Sequence, residues 1–274
     1  MAGAEPLESM LYLLLPETMN PLSIMAILLT MAAPAFAQEA AAPEAGATGQ
    51  VRVSSIRDPE LRPYRHMARG LDAWEQKRAL APGASLRFEL LSQDGRVAAP
   101  EGLQLRIAGD DGAGNQVAIA LPLAADATFV LPRSQAAHDA NADLVLNRKK
   151  GQYRWRPHVR TPGVPENARR LGDLRLECEV SAAVRKEEVP LLLRAGAAAT
   201  GSLCRLPMVG YIHRSPKRLA SATVVAGERK AGLALVDNGA GYQAPLRNKS
   251  WDDEALIVYT FADDPAAGSV AEHP

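Results

Sequence analysis

Through much of this chain hydrophobic side chains recur at every second position. Leu86, Phe88 and Leu90 alternate with Arg87 and Glu89, and Leu103, Leu105 and Ile107 alternate with Gln104 and Arg106. A turn-rich segment from Gly109 to Asn115 leads to Val117, Ile119 and Leu121, and a short apolar stretch at 128–131 stops at Pro132. Alternation with period two puts the two sets of side chains on opposite faces of a pleated strand, so each segment predicts a half-buried strand. The cleanest run is Leu174, Leu176, Cys178 and Val180 against Arg175, Glu177 and Glu179, which predicts a strand with Cys178 turned to the core. Further strands are predicted at 51–56, 220–225, 231–236 and 255–261, with turns at Asp94-Gly95 and Asp237-Asn238-Gly239.

One segment has the other period. Tyr64, Met67, Ala68, Leu71 and Trp74 recur at helical spacing, with Arg65, Arg69, Asp72 and Glu75 on the remaining faces. Asp58-Pro59-Glu60 supplies a cap and first turn, and Ala81-Pro82-Gly83 a stop. Residues 182–188 suit a helix, Pro190 interrupts it, and Leu191-Leu192-Leu193 fits either state.

Short strands joined by turns, without alternating strand–helix units, predict a mainly β fold. The expected form is an antiparallel β-sandwich with one or two accessory α-helices. In architecture it resembles immunoglobulin-like and transthyretin-like sandwiches of bacterial envelopes, on the strands and turns above and not on a shared motif. Such a likeness implies a fold and no function. The expected organisation is a strand plus amphipathic helix over 51–82 and a sandwich core over 83–181. A mixed segment with C-terminal strands over 182–262 then completes the sandwich or forms a second small β-domain, and 263–274 is a disordered tail.

Composition supports this. With 20 Pro and 21 Gly in 274 residues, many short elements are favoured over long helices. Aromatics are only 5%, so Leu, Val, Ile and Ala must build the interior.

The N-terminus reads differently. An apolar run from Pro21 to Ala33 is followed by Ala35-Phe36-Ala37, with small residues at the −3 and −1 positions of a cleavage site. The run is too short to span a bilayer comfortably. A signal peptide over 19–37 is expected, with a flexible lead-in over 38–50 and no membrane span after cleavage. Glu5, Glu8 and Glu17 have the wrong sign for a signal's start, so residues 1–18 read as an over-extended start before Met19. No cysteine follows the apolar run, so a lipid anchor is not supported.

Removing the leader changes the charge. The whole chain has 31 basic and 31 acidic residues; losing those three glutamates leaves 28 acidic residues and a charge near +3. That excess is too small to imply nucleic-acid binding. Cys178 and Cys204 are the only cysteines. In an oxidising compartment such a pair commonly forms a disulfide, the alternative being two separate buried thiols. There is no CxxC pair to support a redox enzyme.

The most suggestive chemistry lies between Arg148 and Arg160. If 152–160 is extended, Tyr153, Trp155 and Val159 share one face and Arg154, Arg156, His158 and Arg160 share the other. A row of cations backed by aromatics suits an anionic polymer or head group. The competing reading is an edge strand protected by charge, with its aromatics in the core and Pro157 tolerated at the edge.

Elsewhere the signals are weak. The histidines are not at metal-ligand spacing, so no metal site is indicated, and no cofactor is implied. Neither G-x-S-x-G nor S-x-x-K occurs. The acidic clusters Asp110-Asp111 and Asp252-Asp253-Glu254 lack the ligand pattern of a calcium loop. Asn248-Lys249-Ser250 matches a glycosylation sequon that is too short to weigh much.

The expectation is a periplasmic or secreted, non-catalytic module that binds an anionic envelope polymer or a protein partner. The alternative is an exported hydrolase whose site uses His158 or His213 with an acidic partner. N-terminal sequencing of the exported protein is expected to begin at Gln38; a mature form retaining Met1 rules the leader reading out.

Overall fold

A computed structural model describes residues 57–93, 101–110, 112–207 and 209–263. The leader, the lead-in, the strand at 51–56, the Asp94-Gly95 turn and all but the first residue of the tail lie outside them.

The chain begins with strand β1 (Pro59–Pro63), helix α1 (Tyr64–Gln76), β2 (Ser85–Ser92), β3 (Leu105–Asp110), β4 (Gln116–Leu121) and β5 (Thr128–Phe129). A short helix α2 (Gln135–Asp139), β6 (Asp143–Lys149), β7 (Tyr153–Arg160) and β8 (Ala168–Arg170) follow. Helices α3 (Leu171–Val184) and α4 (Leu191–Thr200) come next. The remaining strands are β9 (Tyr211–Arg214), β10 (Leu219–Ala226), β11 (Arg229–Gly232), β12 (Leu235–Val236), β13 (Gly241–Ala244) and β14 (Leu256–Phe261). Among the described residues the fold is mainly β, with four antiparallel sheets and four helices. The sheets run β1-β6-β3-β4, β5-β2-β7, β11-β10-β14-β8 and β12-β13-β9.

Two apolar cores form. The first gathers Phe88 and Leu90 of β2, Ile107 of β3, Leu144 and Leu146 of β6 and Val159 of β7 under Tyr64 and Met67 of α1. The second gathers Val224 of β10, Tyr242 of β13, and Ile257 and Tyr259 of β14. Helix α3 belongs to both, since Leu176 and Val180 enter the first and Leu171 and Leu174 the second.

Helix α3 replaces the strand predicted over 174–180. Its apolar residues face two cores on different sides, and Glu177, which the alternation assigns to solvent, is 2% exposed. A helix buried nearly all round has little amphipathic contrast, and its pattern can pass for alternation. The predicted amphipathic helix packs Tyr64 and Met67 into the first core and its Gly70 side against α3. At their closest approach a Cβ on Gly70 would stand 2.7 Å from Val184 Cγ2, so only glycine lets α1 settle there.

That helix also starts later than its predicted cap. Residues 59–63 pair with β6 as an edge strand, where prolines cost no ladder hydrogen bond. Glu60 turns inward instead of capping, accepting from Gly151 N (2.7 Å) and Trp155 Nε1 (3.3 Å).

Strands β2, β3, β4, β10 and β14 form where the alternation places them. The Asp237-Asn238-Gly239 turn is present, with φ of 47°, 57° and 86°. At Gly239 a Cβ would meet Leu219 O at 2.5 Å.

Cys178 and Cys204 form the disulfide. It joins α3 to the short turn at Leu203–Arg205 and does not link two sheet layers. Closing a loop with a sequence separation of 26 stabilises the fold by about 3.5 kcal/mol through the unfolded chain's lost entropy.

The two cores meet at one buried carboxylate. Glu177 Oε1 accepts from Val159 N (2.9 Å) and Arg169 Nη2 (2.6 Å), and Oε2 accepts from Tyr211 OH (2.8 Å). Replacing Glu177 by Ala would strand the Arg169 guanidinium in the interior. The expected cost is about 3–5 kcal/mol in urea unfolding; a loss under 1 kcal/mol would show that the joint is dispensable.

Candidate functional site

Strand β7 is extended as predicted, and it is an edge strand of β5-β2-β7. Its outer edge is closed by α3. Glu177 takes the Val159 N–H, and Asp173, one helical turn earlier, accepts from Thr161 N (2.9 Å) and Thr161 Oγ1 (2.6 Å). Carboxylates four residues apart on a helix lie at about the spacing of alternate strand residues. The preceding position on that edge is Pro157, which has no N–H to satisfy.

The same packing separates the four residues of the predicted cationic row. Arg156 donates to Glu89 Oε2 (2.5 Å) and to Arg214 O (3.2 Å). Arg160 donates to the carbonyls of Val164 (2.9 Å), Pro165 (2.7 Å) and Ala168 (3.1 Å), holding the turn into β8. His158 points inward, and its Nδ1 makes no protein hydrogen bond. Arg154 alone is exposed, reaching Gln93 Oε1 at 3.4 Å.

Arg154 stands at the wall of a cleft of about 530 Å³ between the ends of β2 and β7 and the segments flanking β9 and β13. Among the described residues three further cations line it, Arg214, Lys217 and Arg218, against one carboxylate, Asp237. Asp237 pairs with Arg214. Arg218 is fixed on the left-handed turn, donating to Asn238 O (2.9 Å) and Oδ1 (2.6 Å). Lys217 Nζ lies 5.2 Å from the centre of the Phe261 ring. Ser92, Gln93, Ser215 and Asn238 add hydroxyl and amide groups. The arrangement can hold an anion by charge and its neighbouring hydroxyls by hydrogen bonds.

Only Arg154 of this cleft belongs to the predicted row. The missed residues sit in the 214–218 segment, where Arg214, Lys217 and Arg218 surround Pro216 with no periodic pattern to single them out.

Arg169, Glu177, His213 and Tyr242 form a buried polar cluster, which Tyr211 joins through its hydrogen bond to Glu177. Burial, followed by the cations Arg169 and Arg156, drives the His213 pKa well below its ordinary value. Burial is also the main cause of the lowered His158 pKa, partly offset by Glu177. Both imidazoles therefore stay neutral in the fold near neutral pH. Among the described residues neither hydrogen-bonds a carboxylate or hydroxyl, and no three His, Cys, Asp or Glu side chains gather as metal ligands.

Comparison of the chain with protein families, curated proteins and solved structures finds no match.

The histidines make stability depend on pH. Unfolded histidine takes up a proton below roughly pH 6.5 while the buried forms resist it, so the unfolded state binds more protons and stability falls on acidification. Denaturation midpoints are expected to decline from about pH 6.5 downward, and more shallowly down to pH 5 in a His158→Gln/His213→Gln double variant. Parallel curves for the two proteins would refute this origin.

Proposed function

We propose that this protein is an exported, non-catalytic module that binds an anionic, hydroxyl-rich component of the cell envelope in the cleft at Arg154. The observation that carries the reading is the convergence of Arg154, Arg214, Lys217 and Arg218 on a wall with one carboxylate among the described residues. Concave sites lined by one sign of charge concentrate ligands of the opposite sign. Serine and amide side chains beside the cations suit a glycan bearing carboxylate, phosphate or sulfate groups. The leader and the Cys178–Cys204 disulfide support a periplasmic or secreted location, since disulfides persist in oxidising compartments. Among the described residues no helix is long and apolar enough to cross a membrane. The reading includes a sandwich of the immunoglobulin-like or transthyretin-like kind. Side chains from β1-β6-β3-β4 and β5-β2-β7 share one core, which supports it.

The test is an Arg154→Ser/Lys217→Ser variant, chosen because neither residue makes an ion pair among the described residues. On an immobilised sulfated glycan it is expected to bind about tenfold more weakly than the parent, with an unchanged melting temperature and no retention of either protein on the neutral glycan. Unchanged binding, or equal retention on the neutral glycan, sinks the proposal. Arg156→Ser serves as a contrast: it uncovers buried Glu89, so its effect should appear as lost stability.

A further inference from the structure

A second cleft, of about 800 Å³, opens elsewhere on the molecule and does not depend on the first. Four segments build it: the end of α1 with the turn after it (Gln76–Leu80), α3 (Arg175 and Glu179), the end of α4 with the turn that follows, and the loop from Leu246 to Asp253.

The walls are pinned. Arg175 donates to the carbonyls of Leu246 (2.9 Å), Asn248 (3.1 Å) and Trp251 (2.9 Å) and to Asp253 Oδ1 (2.6 Å). One guanidinium thereby holds the whole loop against α3. On the opposite side the disulfide ties Cys204 to α3, and Ser202 Oγ donates to Glu179 Oε1 (2.5 Å). A wall fixed in this way loses little entropy on taking up a ligand.

Its charges are unevenly spent. All three carboxylates of the lining are engaged: Asp253 by Arg175, Glu179 by Ser202, and Asp252 by the backbone N–H groups of Glu254 and Ala255. By contrast, the side chains of Lys77, Arg205, Arg247 and Lys249 make no hydrogen bond or ion pair among the described residues. Like charges gathered in a concave, partly apolar space repel one another, and an anion relieves that repulsion. Leu80, Leu246 and Trp251 supply the apolar part of the lining. Trp251 is itself held in place, with the Arg229 guanidinium 5.0 Å from its ring centre.

We propose that this cleft binds an amphipathic anion, its apolar body against Leu80, Leu246 and Trp251 and its acidic head among Lys77, Arg205, Arg247 and Lys249. The first cleft, lined by serines and amides, suits a hydroxyl-rich polyanion; this one suits a single acidic head on an apolar chain. A cleft of about 800 Å³ falls in the size range of small-molecule sites and leaves room for a fatty acid.

Laurate is the probe, with dodecyl maltoside as its neutral counterpart, both below their micelle-forming concentrations, and acetate as the head without the chain. Titration of the full-length protein by calorimetry is expected to show one saturable laurate site and no comparable binding of the other two. Arg247→Ala/Lys249→Ala should weaken laurate about tenfold or more with an unchanged melting temperature, because both side chains are exposed and unpaired. Leu246→Asp, aimed at the apolar wall, should weaken it as well, whereas Arg154→Ser/Lys217→Ser in the first cleft should leave it unchanged. Absence of saturable laurate binding, equal binding of dodecyl maltoside, or retention of full affinity in the Arg247/Lys249 variant overturns the proposal. None of these results bears on glycan binding at Arg154.

Discussion

A carboxylate taken out of water must find a partner for every lone pair it exposes, and in this protein that requirement falls on Glu177. It sits on the helix shared by two apolar cores and receives hydrogen bonds from β7, β8 and β9 at once. Burial by itself would raise its pKa. The Arg169 charge beside it, with His158 and Arg156 further off, outweighs that and holds it below the usual range for Glu. The three donors belong to three different strands, with Tyr211 34 residues from Glu177, so the carboxylate is fully satisfied only when all three are docked on α3. A misplaced strand leaves a buried charge exposed to an apolar surround, which makes the arrangement specific as well as stable.

The same joint explains how an edge strand survives in the interior. Sheets end in unpaired backbone groups, and proteins commonly cover them with charge or with another element. Here α3 supplies Glu177 for the Val159 N–H and Asp173 for that of Thr161 just past β7, while Arg169 of β8 donates to the Val159 carbonyl at 2.8 Å. The strand keeps β geometry while its outer partner is a helix.

This division of labour sorts the cations into structural and available ones. Arg156, Arg160, Arg169 and Arg175 spend their donors on carbonyls and carboxylates of the protein itself, fixing turns and loops. Because those are held, Arg154 and Lys217 in one cleft and Arg247 and Lys249 in another are left facing solvent on rigid walls. Two surfaces of the same sign thus differ in their neighbours, one rich in hydroxyls and amides, the other apolar.

By itself the sequence determined what is local. Alternation located β2, β3, β4, β10 and β14, helical spacing located α1, the glycine-bearing turn at 237–239 needed its left-handed backbone, and two lone cysteines had only each other to bond. Tertiary structure decided everything that depends on which side chain is covered. The run at 174–180 became a helix because its apolar residues serve two different cores and Glu177 is buried against Arg169 and the edge of β7. Glu60 turned from a helix start into an internal acceptor for the same reason. The row Arg154, Arg156, His158 and Arg160 was legible as a face of one strand, yet of these Arg154 alone lines the cationic cleft, and its companions come from residues about sixty positions later. A charged residue looks the same in sequence whether water or a distant partner will solvate it, and that choice is made when the chain closes on itself.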